Sequence, residues 1–144
     1  MGESEEKVYK GFLGRWQLIP ESCQYEQGEA PIEGSYEISD DNGVLHFAMS
    51  WRDASGESHQ VSFSGVPDGS KQPFSGGELA DALSVTAVSE RELRSSAFYQ
   101  GKELMVAQRQ LDETGQAMRI TQVVRLPDGS QPANVSVYRR ELLH

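Results

Sequence analysis

The stretch 43–66 alternates apolar and polar residues on both sides of Asp53-Ala54-Ser55-Gly56-Glu57. This pattern constrains the fold more than any other in the chain. A three-residue hairpin loop is a type I turn closed by a residue in the left-handed region, a position that Gly56 fills without steric cost. With Asp53 opposite Glu57, the pairing follows residue by residue. Leu45 faces Gly65, Phe47 faces Phe63, Met49 faces Val61, and Trp51 faces His59. The other face collects His46 with Ser64, Ala48 with Ser62, and Ser50 with Gln60. A slip of one residue sets Phe47 against Ser64 and mixes the two faces, so the register is fixed by the need to bury one of them.

The same logic extends along the chain. Short β-rich stretches separated by Gly, Pro, Asp and Ser predict ten strands, at about 12–19, 32–39, 43–52, 58–66, 70–75, 82–89, 92–99, 103–111, 117–126 and 131–140. Leu126-Pro127-Asp128-Gly129-Ser130 is a second three-residue turn, with Pro127 at a position that suits its fixed φ. It sets Ile120 against Ser136 and Met118 against Tyr138. The earlier Val66-Pro67-Asp68-Gly69-Ser70 repeats its chemistry. Asp112 to Gly115 is read as a four-residue loop with Leu111 opposite Gln116, which places Arg109 beside Met118 and Ala107 beside Ile120. A three-residue loop would stack Arg109 on Arg119, and like charges directly opposite are unfavourable. Gln100-Gly101 is a two-residue loop that pairs Tyr99 with Lys102 and sets Met105 opposite Ser96.

Leu, Ile, Val and Phe make up little more than a fifth of the 144 residues, close to the level of roughly 20% below which chains tend to stay disordered. Ten strands, each with one thin apolar face, cannot stabilise an open sheet of this length. Closure buries that face and removes the edges. The expected fold is therefore all-β: an antiparallel up-and-down meander barrel of about eight to ten strands. It forms a single domain over 8–144 behind a flexible acidic leader, Met1–Lys7. The net charge of −9 argues against a nucleic-acid backbone or an anionic membrane surface as partner. No apolar run reaches the roughly 18 residues of a membrane span. The single Cys23 excludes an intramolecular disulfide and a cysteine-based zinc cage. A lone thiol and an acidic N-terminus lead to a cytoplasmic expectation, with a native signal peptide as the alternative.

Phe12-Leu13-Gly14-Arg15-Trp16-Gln17-Leu18 resembles the opening strand of the calycin barrels, the lipocalins and intracellular fatty-acid-binding proteins, whose hallmark there is Gly-x-Trp. Tyr99-Gln100-Gly101-Lys102-Glu103, followed by Gln108-Arg109-Gln110-Leu111, is similar to the fatty-acid-binding branch's aromatic-turn-Gly-Lys-Glu hairpin and its strand with an inward Arg. The ending Val135-Ser136-Val137-Tyr138-Arg139-Arg140 matches as well. The pattern Gly129 to Tyr138 also resembles bacterial lipocalin-like proteins. The resemblance implies a lipocalin-like barrel that carries a hydrophobic molecule. It implies a carboxylate site built from Arg109 and Tyr138, with Ser136 where that branch has a second Arg. It also implies that Trp16 packs under Arg139 or Arg140 to plug one barrel end. Unlike the fatty-acid-binding branch, the chain has only about residues 20–31 between its first two strands. Pro20, Gly28 and Pro31 break any helix there, so a loop replaces the lid.

Arg109 and Tyr138 are the best candidates for chemistry. Both point inward in this register, and both can donate to one oxyanion. The alternative is that Arg109 bonds a buried carboxylate or backbone oxygens, with Tyr138 as filler. Phe47, Met49, Trp51, Phe63, Met105, Met118 and Ile120 either fill the barrel or line a cavity, where adaptable Met side chains meet a hydrophobic ligand. A barrel of ten strands is wide for so few side chains, which favours the cavity. His46 and His59 fall on opposite faces of one hairpin and cannot share a metal. His59 lies near Trp51 at a strand end, where it could meet a ligand head group. Cys23 has no adjacent base, and no Gly-x-Ser-x-Gly elbow occurs. Asn134-Val135-Ser136 fits a glycosylation pattern but falls within a strand. Glu78 and Asp81 read as a solvated loop, and His144 as a frayed end.

No cofactor, metal or catalytic residue is called for. The expected function is binding of a small hydrophobic or amphiphilic ligand, anionic ones included, with the oligomeric state left open. The alternatives are an enzyme or isomerase using the same cavity, or an interaction module whose barrel is filled and whose loops 20–31 and 67–82 are the working surface.

Overall fold

The computed structural model describes residues 8–73 and 80–141. The expectations for the acidic leader, Glu78, His144 and the last residues of the strand at 70–75 lie outside this range. Ten strands form one sheet: β1 (Gly14–Tyr25), β2 (Glu33–Asp41), β3 (Val44–Arg52), β4 (Ser58–Gly65), β5 (Asp68–Pro73), β6 (Ala82–Ser89), β7 (Glu92–Tyr99), β8 (Lys102–Leu111), β9 (Ala117–Val124) and β10 (Ala133–Arg140). Their order is β4-β3-β2-β1-β10-β9-β8-β7-β6-β5. Every consecutive pair except β4 and β5 is hydrogen-bonded, and β1 closes on β10, giving a nearly closed up-and-down barrel.

The barrel parts between β4 and β5. The Val66–Ser70 and Leu126–Ser130 turns share a local device: Asp68 and Asp128 each accept from the amide and hydroxyl of the serine two residues on. Only the second turn closes a hairpin, with the Leu126 amide donating to the Ser130 carbonyl. After the first, β5 turns away to pair with β6. The gap is narrowed where β4 approaches β6. A Cβ on Gly65 would lie 2.9 Å from Val85 Cγ2, so glycine is required for that approach.

The β3–β4 and β9–β10 registers are those read from their turns, from Leu45 with Gly65 through Met118 with Tyr138. Three local expectations need correction. The loop after β8 starts one residue later than read. The Asp112 amide bonds the Ala117 carbonyl, while Asp112 Oδ1 gathers Thr114 Oγ1 and the amides of Gln116 and Ala117. The register therefore moves by two residues: Arg109 pairs with Ile120 and Leu111 with Met118. A two-residue slip preserves the faces, so Arg109 still points inward. The Gln100-Gly101 turn has positive φ at both residues, the type I′ geometry. It pairs Tyr99 with Lys102 as expected, but an irregularity beyond Phe98 sets Met105 opposite Ala97 rather than Ser96.

The third correction concerns β1, which runs through Pro20 to Tyr25. Proline lacks the ladder donor and is tolerated at bulges. Here the pairing with β10 is interrupted between Ile19 and Gln24. Ser22 repairs the interruption: its hydroxyl accepts from the Val137 amide at 2.8 Å and donates to the Ile19 carbonyl at 2.6 Å.

The barrel is packed at one end and hollow at the other. A 3₁₀ turn at Val8–Phe12 packs against β6 and β7 and buries Tyr9 and Phe12. Trp16 is fully buried beside them, with its indole N–H on the Phe12 carbonyl. Arg140, paired with Trp16 across the β1–β10 ladder, lies 4.2 Å over its ring and donates to the Gly11, Leu13 and Gly115 carbonyls. Arg140 thus takes the role expected of Arg139 or Arg140. Ile38, Leu45, Phe47, Val85, Leu93 and Met118 fill the interior above this plug.

Candidate functional site

Above the packed end lies a cavity of about 480 Å³, open at the far end. Its size falls within the roughly 300–1,000 Å³ usual for small-molecule pockets. Met49, Trp51, Phe63, Met105, Ile120, Ser136, Tyr138 and Arg109 all line it. The other three candidates lie elsewhere. Met118 is buried in the packed half, and Phe47, equally buried, stacks on Phe63 at 4.5 Å. His59 stacks on Trp51 at 5.3 Å, with its Nε2 2.8 Å from Asp53 Oδ2, outside the cavity wall. Its partner is a turn carboxylate.

Arg109 stands at the boundary between the two halves and is 2% exposed. Burying an ion in a protein interior carries an effective penalty of several kcal/mol unless partners compensate. Among the described residues no carboxylate forms an ion pair with it. Its Nε donates to the Tyr36 hydroxyl at 2.9 Å and its Nη1 to the Ser95 hydroxyl at 3.0 Å. The guanidinium lies 4.8 Å from the Phe47 ring centre and 5.7 Å from that of Tyr36. Tyr36 in turn meets Tyr138 edge-to-face at 5.5 Å. Directly across the sheet from Arg109 stand Ile120 and then Ser136. Tyr138 joins the cluster through Tyr36.

The direction of these hydrogen bonds gives the cluster its chemistry. Tyr36 and Ser95 accept from Arg109, so their own protons are free for another acceptor. No fully enclosed side-chain N or O among the described residues lacks a partner. Nη2 of Arg109 makes no bond to a described residue and therefore faces the cavity. The cavity floor thus offers an N–H of a cation and two polarised hydroxyls, with Tyr138 and Ser136 beside them. Burial, above all, raises the Tyr138 phenol well above its ordinary range, helped by Tyr36, Tyr25 and Cys23 and opposed by Arg109. Tyr138 is therefore neutral and able to donate at physiological pH. Cys23 is a free, partly buried thiol, and desolvation raises its pKa, the opposite of nucleophile activation.

Tyr36 and Ser95 were not among the sequence candidates. Asn42-Gly43, with φ of 53° and 90°, is a two-residue type I′ hairpin signal. Applied as a register, it places Tyr36 opposite Met49, on the inward face. Ser95 could not be found in this way, because the irregularity in β7–β8 pairs it with Ala107 against the turn's own count.

At the mouth, Asp53 Oδ1 accepts from the Ser55 and Glu57 amides and the Ser55 hydroxyl. Chiefly the Ser55 hydroxyl, then His59, holds the Asp53 carboxyl below the usual carboxylate range. Asp53, Glu57 and His59 bring one potential metal-ligand atom each within 4.8 Å of one another. Asn134 lies within β10, as expected. It accepts the Glu26 and Gln27 amides and donates to the Gln27 carbonyl, which fixes the loop between β1 and β2.

No protein-family model matches the chain, and no curated sequence is significantly similar to it. Solved structures do match. A point mutant of the fluorescent protein UnaG superposes with a TM-score of 0.60 at 17% identity, over 93% of this chain and 99% of that one. An S-type phycobiliprotein lyase, CPES from Guillardia theta, gives 0.54 at 10% identity, over 94% and 92%. Zebrafish ileal bile acid-binding protein, solved with cholic acid, gives 0.53 at 12% identity, over 91% and 99%. The fold is that of a calycin-type barrel.

Proposed function

We propose that this barrel binds a small amphiphile, with an anionic end on the Arg109 cluster and an apolar body along Met49, Phe63, Met105 and Ile120. One observation carries the reading. A guanidinium that is 2% exposed has only neutral hydroxyls as hydrogen-bond partners among the described residues, and those hydroxyls face a cavity with protons to give. An oxyanion completes that arrangement, since hydrogen bonds involving a charge are the stronger ones. The match to a bile acid-binding protein that holds cholic acid supports the same class of ligand. The cavity volume runs against an interaction module with a filled barrel.

The test is native mass spectrometry of the purified protein before and after solvent extraction. It is followed by displacement of a fluorescent anionic probe by dodecanoate. Retention of an acidic amphiphile, or displacement at micromolar dodecanoate, is expected. An empty barrel that binds neither probe nor dodecanoate overturns the reading.

A further inference from the structure

The charges lining the cavity are ordered from floor to mouth. Among the described lining residues, Arg109 at the floor is the one Lys or Arg, and the carboxylates are Asp53 and Glu29, both at the open end. Glu29 sits on the loop held by Asn134. Asp53 follows the end of β3, two residues beyond Trp51, and the turn hydrogen bonds anchor it at the cavity edge. Glu57 adds a third carboxylate, 3.8 Å from His59. His59, even when protonated, offsets only one of the three. The floor therefore attracts an anion and the mouth repels one.

The span is set by the strand. Tyr36, which receives the Arg109 bond, pairs with Met49. Asp53 lies four residues further along, roughly 13 Å at about 3.3 Å per residue. A chain of about twelve carbons covers that length. Its far end would then emerge among carboxylates rather than at an apolar rim.

Resting on the reading above, we infer that the ligand is bipolar: an oxyanion at one end and, about 13 Å away, a cationic or hydrogen-bond-donating group held at the Asp53–Glu29 mouth. The site selects against dianions of the same length, because the second anion must sit beside like charges in a part of the cavity open to solvent.

Calorimetric titration with dodecanoic, 12-aminododecanoic, 12-hydroxydodecanoic and dodecanedioic acids at pH 7 and low salt tests this. The chains are alike and only the far end changes. The amino acid is expected to bind about ten-fold tighter than the diacid, as several exposed charge contacts acting together would give. The hydroxy acid is expected between them. Raising the salt should shrink the difference, since the Debye length falls from about 10 Å at 0.1 M to about 3 Å at 1 M. In Glu29→Gln, and more so in Glu29→Gln with Asp53→Asn, the preference should fall to two-fold or less. Glu29→Gln alone keeps the test valid if the Asp53 turn proves sensitive. Binding of dodecanoate with equal or better binding of the diacid overturns the bipolar assignment and leaves the anion site standing. So does a preference that survives both substitutions. If none of the four acids binds, the anion site itself falls.

Discussion

Replacing Arg109 by Met separates a ligand-binding cation from a structural one. The substitution removes a buried charge, which returns several kcal/mol of effective desolvation penalty. It also removes two hydrogen bonds from a charged donor, to Tyr36 and Ser95, worth about 1.5–3 kcal/mol each. These contributions nearly cancel, and Met is a good volume match over the Phe47 ring. Tyr36 and Ser95 face the cavity, where water can satisfy them. The stability of the ligand-free protein should therefore change by less than about 2 kcal/mol, which urea denaturation will read. Binding should change far more. Loss of the charged donor should weaken dodecanoate by about 1.5–3 kcal/mol, or roughly ten- to 150-fold, while dodecanol should be affected less than three-fold. Parallel calorimetric titrations of wild type and variant with both ligands measure this. Equal losses for the acid and the alcohol would refute the reasoning. A fall in stability of 3–5 kcal/mol, the cost of stranding a buried ion-pair partner, would do the same.

Gly65→Ala should destabilise by roughly 1–3 kcal/mol in denaturant melts, because the new methyl lies against a stiff Val85 side chain at the seam of the barrel. Arg140→Met should cost roughly 2–4 kcal/mol, because three backbone carbonyls and the Trp16 face lose their donor. Arg140→Lys should recover only part of this, which the same melts will show. Asp68, Asp112 and Asp128 each have pKa values lowered first by a side-chain hydroxyl, from Ser70, Thr114 and Ser130. A carboxyl with a depressed folded-state pKa stabilises above its unfolded value, about 3.9, and loses that contribution as pH falls through the folded one. Melting temperature should thus hold from pH 7 to 5 and drop below about 4. Asp128→Asn should lower the neutral plateau and flatten the acid limb, because the contribution it removes is the one present above about pH 4.

What the sequence disclosed follows a physical division. Turns with one strongly preferred geometry set the register at a distance: Gly56 and Gly129 each fixed a whole strand pair correctly. At the longer loop after β8 the count fails. Asp112 gathers the amides of Gln116 and Ala117 and moves its loop by one residue. Where the ladder itself is broken, composition misleads. Pro20 reads as a terminator, yet β1 passes through it because Ser22 stands in for the missing pairing. The inward Arg109 was legible from the register, whose faces survive the two-residue shift after β8. Its partners were not, because Tyr36 and Ser95 come from β2 and β7, remote in sequence and joined to Arg109 only by closure of the barrel.

The most direct test of the anion site is the ionisation of a bound carboxyl group. Dodecanoic acid labelled with carbon-13 at the carboxyl carbon can be followed by NMR in complex with the protein, from pH 7 downward. A carboxylate that receives Arg109 Nη2 and the Tyr36 and Ser95 hydroxyls should stay ionised, since an adjacent cation lowers a carboxyl pKa by about 1–3 units. Its resonance should remain fixed through the range, near pH 4–5, where an unperturbed carboxyl titrates, for as long as the barrel stays folded. In Arg109→Met it should titrate at or above that range. A bound resonance in the native protein that titrates there, or higher as burial in an apolar cavity alone would dictate, would contradict the assignment of Arg109 as the anion's partner.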